Sequence, residues 1–344
     1  MADVEAAHMP DKYCATDLPC GKSLLVEEAS MHDKCCAADL PCGRSLEEIH
    51  MHDSGCTKDL PCSNTAQDLP DKYSLKDLPC GKSLQEIRSS LHIVSLGSTC
   101  FTKLTVRRLG LSDVTLPFDW IRCRMEGLLH FLANDFEDFF NFADKQEVIL
   151  HDHPMTAYRS PMHSFWHDKL EDYAVRANIW KRVHRFLNLA IEDSRGSLLF
   201  VRTVATTAEL SEIEHLFELL QTRRGNKQIY LLVVIGGQAV IGPILHAKHT
   251  GIIFWAQPEF EQLTTSMDRE QPYEDAILFG VHYVLGDAGA DFGSYKFNDI
   301  PSVTAASELV DEGGLLQESH RGLWMGYASV AEIEEPVMLS AFSE

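Results

Sequence analysis

A cysteine, an aspartate and two histidines stand out in this sequence because their types and surroundings fit nucleophilic catalysis. Cys100 follows a short apolar run at residues 92–96 and a turn at Gly97, and an amphipathic helical pattern begins close to the cysteine. A strand, a glycine turn and a helix in this order place the cysteine at the positive end of the helix dipole, which favours thiolate over thiol. The sequence therefore predicts Cys100 as a nucleophile. The alternative is a small buried cysteine with a structural role.

A cysteine nucleophile needs a base and an acidic group that orients the base. His151 and His153 follow a short apolar run, and either one is a candidate for the base. Asp119 lies among aromatic residues at positions 117–120, which is an unusual place for a carboxylate that is only solvated. We predict that Asp119 orients the base. The alternative is that it caps a helix beginning at Ile121.

The histidines also allow a metal site. Alternating residues on an extended segment face the same side, so His151 and His153 could bind one ion, together with His163 and His167 downstream. No further carboxylate or cysteine has a fixed place nearby in the sequence. We therefore favour catalysis over metal binding and predict neither a metal nor a cofactor.

Arg202 ends an apolar run at residues 197–201. Burial of a guanidinium is costly unless the group meets an anion. Arg202 is therefore predicted either to form an internal ion pair or to bind a carboxylate or phosphate of a ligand. In the second case, Ser98 is the other predicted ligand-binding residue.

An alternation of strands and helices must position these residues. Apolar runs predict strands at residues 92–96, 148–150, 197–201, 229–235, 252–255 and 277–285. Helical patterns lie between them, among others at residues 125–142, residues 170–192 and after Thr207. Near-continuous apolar strands separated by helices predict a three-layer α/β fold, with a mostly parallel, Rossmann-like sheet and helices on both faces. Ligands bind at the carboxyl ends of such strands, so we expect the candidate residues to converge there.

Residues 1–90 follow a different pattern. A DLPCGKSL-type motif occurs four times, at residues 17–24, 39–46, 59–62 (DLPC only) and 77–84, and eight of the ten cysteines lie in this part. Each unit has few apolar residues, so we predict a weakly structured, flexible array that serves as a tether or binds a protein partner. The Gly-Lys-Ser step lacks the earlier glycine of a phosphate-binding loop. Zinc binding and disulfide pairing by the cysteines are the open alternatives. Ser83 and Glu86 fit a helix capping box.

Net charge and the distribution of apolar residues restrict the possible partners and location of the protein. Residues 91–290 are predicted to form the α/β domain and residues 291–344 a C-terminal extension. The net charge of −21 disfavours nucleic acid or an anionic membrane surface as a partner. The N-terminus does not resemble a secretory signal and no apolar run is long enough to span a bilayer, so we expect a cytoplasmic protein.

Several segments together resemble a domain family of unknown function whose members are described as papain-like cysteine peptidases. The resemblance covers roughly residues 91–260. The segments are SLGSTC at 95–100, LGL at 109–111, PFDWI at 117–121, NDF at 134–136, FF at 139–140, HDH at 151–153, RFL at 185–187, FVRT at 200–203 and YLLV at 230–233. The resemblance implies Cys100 as the nucleophile, His151 or His153 as the base and Asp119 as the third member.

The leading prediction is therefore a cysteine-dependent hydrolase, peptidase-like by resemblance, whose substrate is a peptide or an anionic small molecule. One alternative is a transferase that binds an anionic donor, such as a nucleotide-sugar, through Arg202 and the turn at Gly236 and Gly237. Another alternative is a binding protein without catalytic activity.

Overall fold

The computed structural model describes residues 81–150, 153–189, 196–224, 227–258, 266–286 and 294–319. The predicted repeat array up to residue 80 lies outside these ranges. The strands are β1 (Leu91–Ser95), β2 (Ile121–Cys123), β3 (Asp144–Leu150), β4 (His153–Arg159), β5 (His163–Phe165), β6 (Ser197–Thr203), β7 (Ile229–Ile235), β8 (Gly242–His246), β9 (Ile252–Ala256) and β10 (Ser302–Val303). The α-helices are α1 (Leu84–Ser90), α2 (Phe101–Arg108), α3 (Met125–Ala133), α4 (Tyr173–Asn188), α5 (Ile213–Arg224) and α6 (Ser266–Leu285). In the described part of the chain, no helix has the length and apolar character needed to cross a bilayer.

A six-stranded sheet with the order β1-β6-β7-β9-β8-β10 forms the centre of the fold. The first four strands in this order are parallel to one another. β8 runs antiparallel to β9, and β10 is parallel to β8. The prediction of a mixed α/β fold with a mostly parallel sheet is confirmed.

Apolar cores cover both faces of this sheet. Successive side chains of a strand point to opposite faces, so one strand contributes to both cores. In β6, Leu198 and Phe200 pack in one apolar core, while Leu199 and Val201 pack in another. Helices α3, α4 and α5 contribute to the first core, and α1, α2 and α6 contribute to the second. Each fully buried Leu, Ile or Phe side chain contributes about 1.5–3 kcal/mol to stability.

A second sheet, β2-β5-β4-β3, is antiparallel throughout. It contains the predicted strand at residues 148–150, which is the end of β3. We expected this strand in the parallel sheet, and that expectation is wrong. Only two residues separate β3 from β4, and so short a connection joins antiparallel strands, whereas parallel strands need a long crossover.

The prediction of a strand at residues 277–285 is also wrong, because these residues form the second half of α6. An apolar run buried by tertiary packing has no clear periodicity and fits either a strand or a helix. α6 lies close to the central sheet at Gly280, where a Cβ atom would be 3.1 Å from Leu199 Cδ2 and 3.2 Å from Leu232 Cδ2. A Cβ atom here would require both leucine side chains to move by a few tenths of an ångström.

α1 begins with the predicted capping box. Ser83 Oγ accepts a hydrogen bond from the Glu86 N–H, and the Glu86 carboxylate accepts one from the Ser83 N–H. Ile87 of this helix is buried in the core that contains α2 and α6. The packed part of the chain therefore extends N-terminal of residue 91, where the α/β domain was predicted to begin.

Candidate active site

The predicted strand, glycine turn and helix around Cys100 are confirmed. β1 is followed by Gly97 and Ser98, whose φ angles are 78° and 73°, and Cys100 is the N-cap residue of α2. Cys100 is half-buried. A Cβ atom on Gly97 would be 3.4 Å from both Cys123 Cβ and the Phe118 carbonyl oxygen. The turn before the cysteine thus lies directly against the segment that contains Asp119.

Asp119 is almost fully buried, with 1% of its surface exposed. Its Oδ2 atom accepts a hydrogen bond of 2.8 Å from the Leu116 N–H and lies 3.5 Å from Lys103 Nζ. Lys103 is in the first turn of α2 and also donates to the Val114 carbonyl oxygen. The alternative that Asp119 caps a helix at Ile121 is wrong, because Ile121 begins the strand β2.

Burial dominates the electrostatics of this pair. It raises the pKa of Asp119 to about 6, although the Lys103 charge and the hydrogen bond from Leu116 oppose the shift. Burial also lowers the pKa of Lys103, against the opposing effect of Asp119. Each charge is therefore tolerated inside the protein because the other one is present.

His167 lies beside the residue that follows Asp119. Its ring contacts the Trp120 ring in a T-shaped arrangement, with the centroids 6.0 Å apart. Burial lowers the pKa of His167, while the charge of the adjacent Asp168 opposes this shift and Arg122 adds to it. Asp168 Oδ2 is 3.9 Å from Arg182 Nη1, and the Arg182 charge also acts on Asp119. Like Cys100, both Trp120 and His167 are half-buried.

The structure therefore connects part of the predicted site. The Lys103–Asp119 contact joins the first turn of α2 to the segment whose Trp120 contacts His167. His167 was predicted only as a possible metal ligand, and its contact with Trp120 makes it a further candidate for the base. An aspartate follows this histidine directly in the sequence, but the same step occurs at His151, so the sequence does not single out His167.

The structure does not describe the side chains of the two histidines that were predicted as the base. His151 lies outside the described residues. For His153 the structure gives the backbone, as the first residue of β4 in the antiparallel sheet, and its side chain is outside the described part. Their predicted role stays a prediction.

His163 is a core residue. Its Nδ1 atom is 2.8 Å from Ser160 Oγ, its Nε2 atom is 2.8 Å from the Phe139 carbonyl oxygen, and its ring stacks on that of Phe139. Burial lowers the pKa of His163 to about 4. Across the described ranges, no group of three or more His, Cys, Asp or Glu side chains is placed to bind a metal ion.

Acidification is expected to destabilise the protein through His163. The folded protein holds the ring neutral until about pH 4, whereas the unfolded chain binds the proton at about pH 6.5. Stability is therefore complete above about pH 6.5 and falls as the pH decreases to about 4, by about 3 kcal/mol. Urea unfolding at these two pH values measures the loss. In the His163→Gln variant, whose amide also donates and accepts, the acid-dependent loss should be smaller by that amount, and an equal loss in both proteins would contradict the assignment.

Arg202 forms the internal ion pair, which was one of its two predicted roles. The side chain is fully buried. Nη1 donates to the carbonyl oxygens of Leu96, at 3.0 Å, and Cys123, at 2.9 Å, and Nη2 donates to Glu209 Oε2 at 2.8 Å. The guanidinium is thus used within the protein, which leaves the predicted anionic-donor site without its charged group.

The other two elements of the predicted ligand site are also covered by protein. Ser98 is fully buried, and its Oγ atom makes no hydrogen bond within the described residues. Gly237, with a φ of 77°, contacts the chain's own Ser319, to whose Cβ an added Cβ atom would be 2.9 Å distant. A cavity of about 320 Å³ lies elsewhere, beside Val240, Ile244 and Tyr295, and contains none of the predicted site residues.

Comparisons with known proteins give a short match to a viral protein and a match to a family. Over 51 residues the sequence is 37% identical to an uncharacterized protein of Acanthamoeba polyphaga mimivirus, and the match covers 14% of this chain and 23% of the viral protein. The chain thus spans less than a quarter of the length of that relative. No solved structure matches the chain. Residues 91–236, which contain every predicted site residue except Gly237, match the family described as "Putative papain-like cysteine peptidase", and the resemblance inferred from the sequence is confirmed.

Proposed function

We propose that residues 91–236 form a cysteine-dependent hydrolase domain with Cys100 as the nucleophile and His167 as the base. The family description supports the class of enzyme. One observation carries the choice of residues: the buried Lys103–Asp119 ion pair joins the first turn of α2 to the segment whose Trp120 contacts His167. Asp119 is a positioning residue in this proposal, because it acts through Lys103 and α2.

The chemistry follows from these positions. His167 takes the proton of the Cys100 thiol, and the thiolate attacks the substrate carbonyl carbon to form a tetrahedral intermediate. Backbone N–H groups at the start of α2 stabilise the oxyanion. The imidazolium then protonates the leaving group as the bond to it breaks, which yields a thioester. Water hydrolyses the thioester, with His167 as general base, and releases the acid and the free thiol. The neighbouring Asp168 favours the imidazolium form of His167.

The rate of Cys100 alkylation as a function of pH tests this proposal in the full chain. Iodoacetamide labelling is followed by mass spectrometry, so that Cys100 is read separately from the other cysteines. We expect an apparent pKa for Cys100 well below the ordinary value of about 8.5, and a rise of at least one unit in His167→Ala. Cys123 is the internal control, because burial raises its pKa to about 12.

His151→Ala and His153→Ala are the matched variants, since both histidines were predicted as bases. A pKa shift in one of these variants, with none in His167→Ala, would name that histidine as the base instead. An ordinary or raised Cys100 pKa that none of the three substitutions changes would identify Cys100 as a structural residue and overturn the proposal.

A further inference from the structure

A short segment near the end of the described chain, residues 317–319, is bound through its main chain. We call it the C-terminal strap. The side-chain amide of Gln238 pairs with both main-chain groups of Gln317: Nε2 donates to the Gln317 carbonyl oxygen at 2.9 Å, and Oε1 accepts from the Gln317 N–H at 2.9 Å. Gln238 Nε2 also donates to the Gly236 carbonyl oxygen at 3.2 Å. The amide thus takes the place that a neighbouring strand would have in a sheet.

The second contact involves Ser319, two residues further along. Its N–H donates to Thr207 Oγ1 at 3.2 Å, and its carbonyl oxygen accepts from the Thr207 N–H at 3.1 Å. Residues i and i+2 of an extended chain present their main-chain groups to the same side. Gln238 and Thr207, which are 4% and 5% exposed, therefore recognise one edge of an extended peptide.

The recognition does not depend on the side chains of the strap. Those of Gln317 and Glu318 are exposed to solvent. Gly237 allows the close approach, because any side chain there would collide with Ser319. Main-chain pairing of this kind gives affinity for extended peptides of many sequences, as in the addition of a strand to a sheet. We call the edge formed by Gln238 and Thr207 the groove, and its contacts fit the main chain of a peptide of any sequence.

The groove lies where α/β proteins bind ligands, at the carboxyl ends of parallel strands. Gln238 follows β7, and Thr207 follows β6 by four residues. The end of β6 also contacts α2, since Thr203 Oγ1 is 3.3 Å from Thr102 Oγ1. A peptide in this groove would therefore run over the strand that adjoins the α2 helix.

A second observation indicates that the strap does not use all the hydrogen-bonding capacity of this edge. Gln257 follows β9, and its carbonyl oxygen accepts from the Gln238 N–H at 3.0 Å. The Gln257 side chain is fully buried, yet neither its Nε2 nor its Oε1 atom has a hydrogen-bond partner among the residues that the structure describes. An unsatisfied buried polar group costs about 1–3 kcal/mol, so such groups are rare without a functional reason.

We propose that this edge is a binding groove for an extended peptide. Residues 317–319 occupy the groove when no such peptide is bound, and the peptide displaces them. The buried Leu316 anchors the strap in the core, so release of the three following residues leaves the fold intact. The peptide ligand pairs with Gln238 and Thr207 in the same way as the strap does. That this peptide is also the substrate rests on the proposed function of Cys100, whereas the groove itself does not.

The test uses the full chain and one substitution that removes a main-chain donor. Gln317→Pro deletes the N–H that Gln238 accepts, whereas Gln317→Ala keeps both main-chain groups and is the matched control. The probe is a peptide with the sequence of residues 317–323, QESHRGL, which carries a fluorescent label linked through an amide at its N-terminus. We expect Gln317→Pro to bind it at least tenfold more tightly than the unchanged protein or Gln317→Ala, as measured by fluorescence anisotropy. Adding Gln238→Ala to Gln317→Pro should remove that gain.

Equal binding by all of these proteins, or a gain that Gln238→Ala leaves unchanged, would overturn the proposal. Hydrogen exchange of the unchanged protein gives an independent test if Gln317→Pro fails to fold. The amides of Gln317 and Ser319 should exchange at least tenfold faster than that of Val233 in β7, and equal rates would make the strap a permanent part of the fold. The probe binds without chemistry, so Cys100→Ser should bind it unchanged even if the hydrolase proposal fails.

Discussion

Replacement of Arg202 by methionine is expected to lower the free energy of unfolding by about 3–5 kcal/mol. The substitution leaves the Glu209 carboxylate buried without its positive partner, and the carbonyl oxygens of Leu96 and Cys123 lose their donor. Urea unfolding at neutral pH, followed by circular dichroism, measures the change. A loss of this size is large beside the usual total stability of a domain.

Arg223→Met is the matched control. Arg223 also pairs with a carboxylate, at 2.6 Å from Asp135, but the Asp135 side chain is 72% exposed. An ion pair in solvent contributes at most about 1 kcal/mol. The double variant Arg202→Met, Glu209→Leu should recover part of the stability, because it removes the uncompensated charge. Similar small losses for Arg202→Met and Arg223→Met would contradict the importance given to the buried pair.

The second large effect is expected for Lys103→Met, with a loss of about 3 kcal/mol at pH 7 that becomes smaller toward pH 5. Without Lys103, the buried Asp119 carboxylate loses the positive charge that lies 3.5 Å away, so its pKa rises further above the value of about 6. A carboxyl group whose pKa is higher in the folded state binds its proton more tightly when the protein is folded. The contribution of Asp119 to stability is thus greatest below the pKa that this group has in the unfolded chain. It is lost as the pH rises through the higher pKa of the folded protein.

Urea unfolding of Lys103→Met and the unchanged protein at pH 5, 6 and 7 measures this dependence. The double variant Lys103→Met, Asp119→Asn is the control, because it has no carboxylate to bury, and its stability difference from the unchanged protein should vary less with pH. If the loss in Lys103→Met is the same at all three pH values, burial of the Asp119 charge is not its cause.

The sequence predicted the parts of the fold that depend on local pattern. β1, Gly97 and α2 are adjacent in the chain, and their apolar spacing and the single glycine suffice to place Cys100 at the start of a helix. The second half of α6 was mistaken for a strand because the sheet and the neighbouring helices bury it, so its own pattern has no polar face. β3 was assigned to the wrong sheet because strand pairing is decided by its partner β4 and the short connection between them.

The candidate site was predictable to a similar extent. Asp119 attracts notice because a carboxylate among aromatic residues is unusual, but its partner Lys103 is sixteen positions away and looks like an ordinary helical lysine. His167 is one of 16 histidines, and only the contact with Trp120 distinguishes it. Such choices depend on contacts between distant parts of the chain, which residue types and spacing do not specify.

The antiparallel sheet has a further consequence for how this domain can diversify. All four of its strands come from one uninterrupted stretch between α2 and α4, and that stretch also supplies Asp119, Trp120 and His167. Cys100, at the start of α2, instead follows β1 of the central sheet. The residues proposed to act with Cys100 therefore lie in a single block of sequence, which a relative can replace as a unit. The Arg202 bonds to the ends of both sheets would hold any such replacement in the same place.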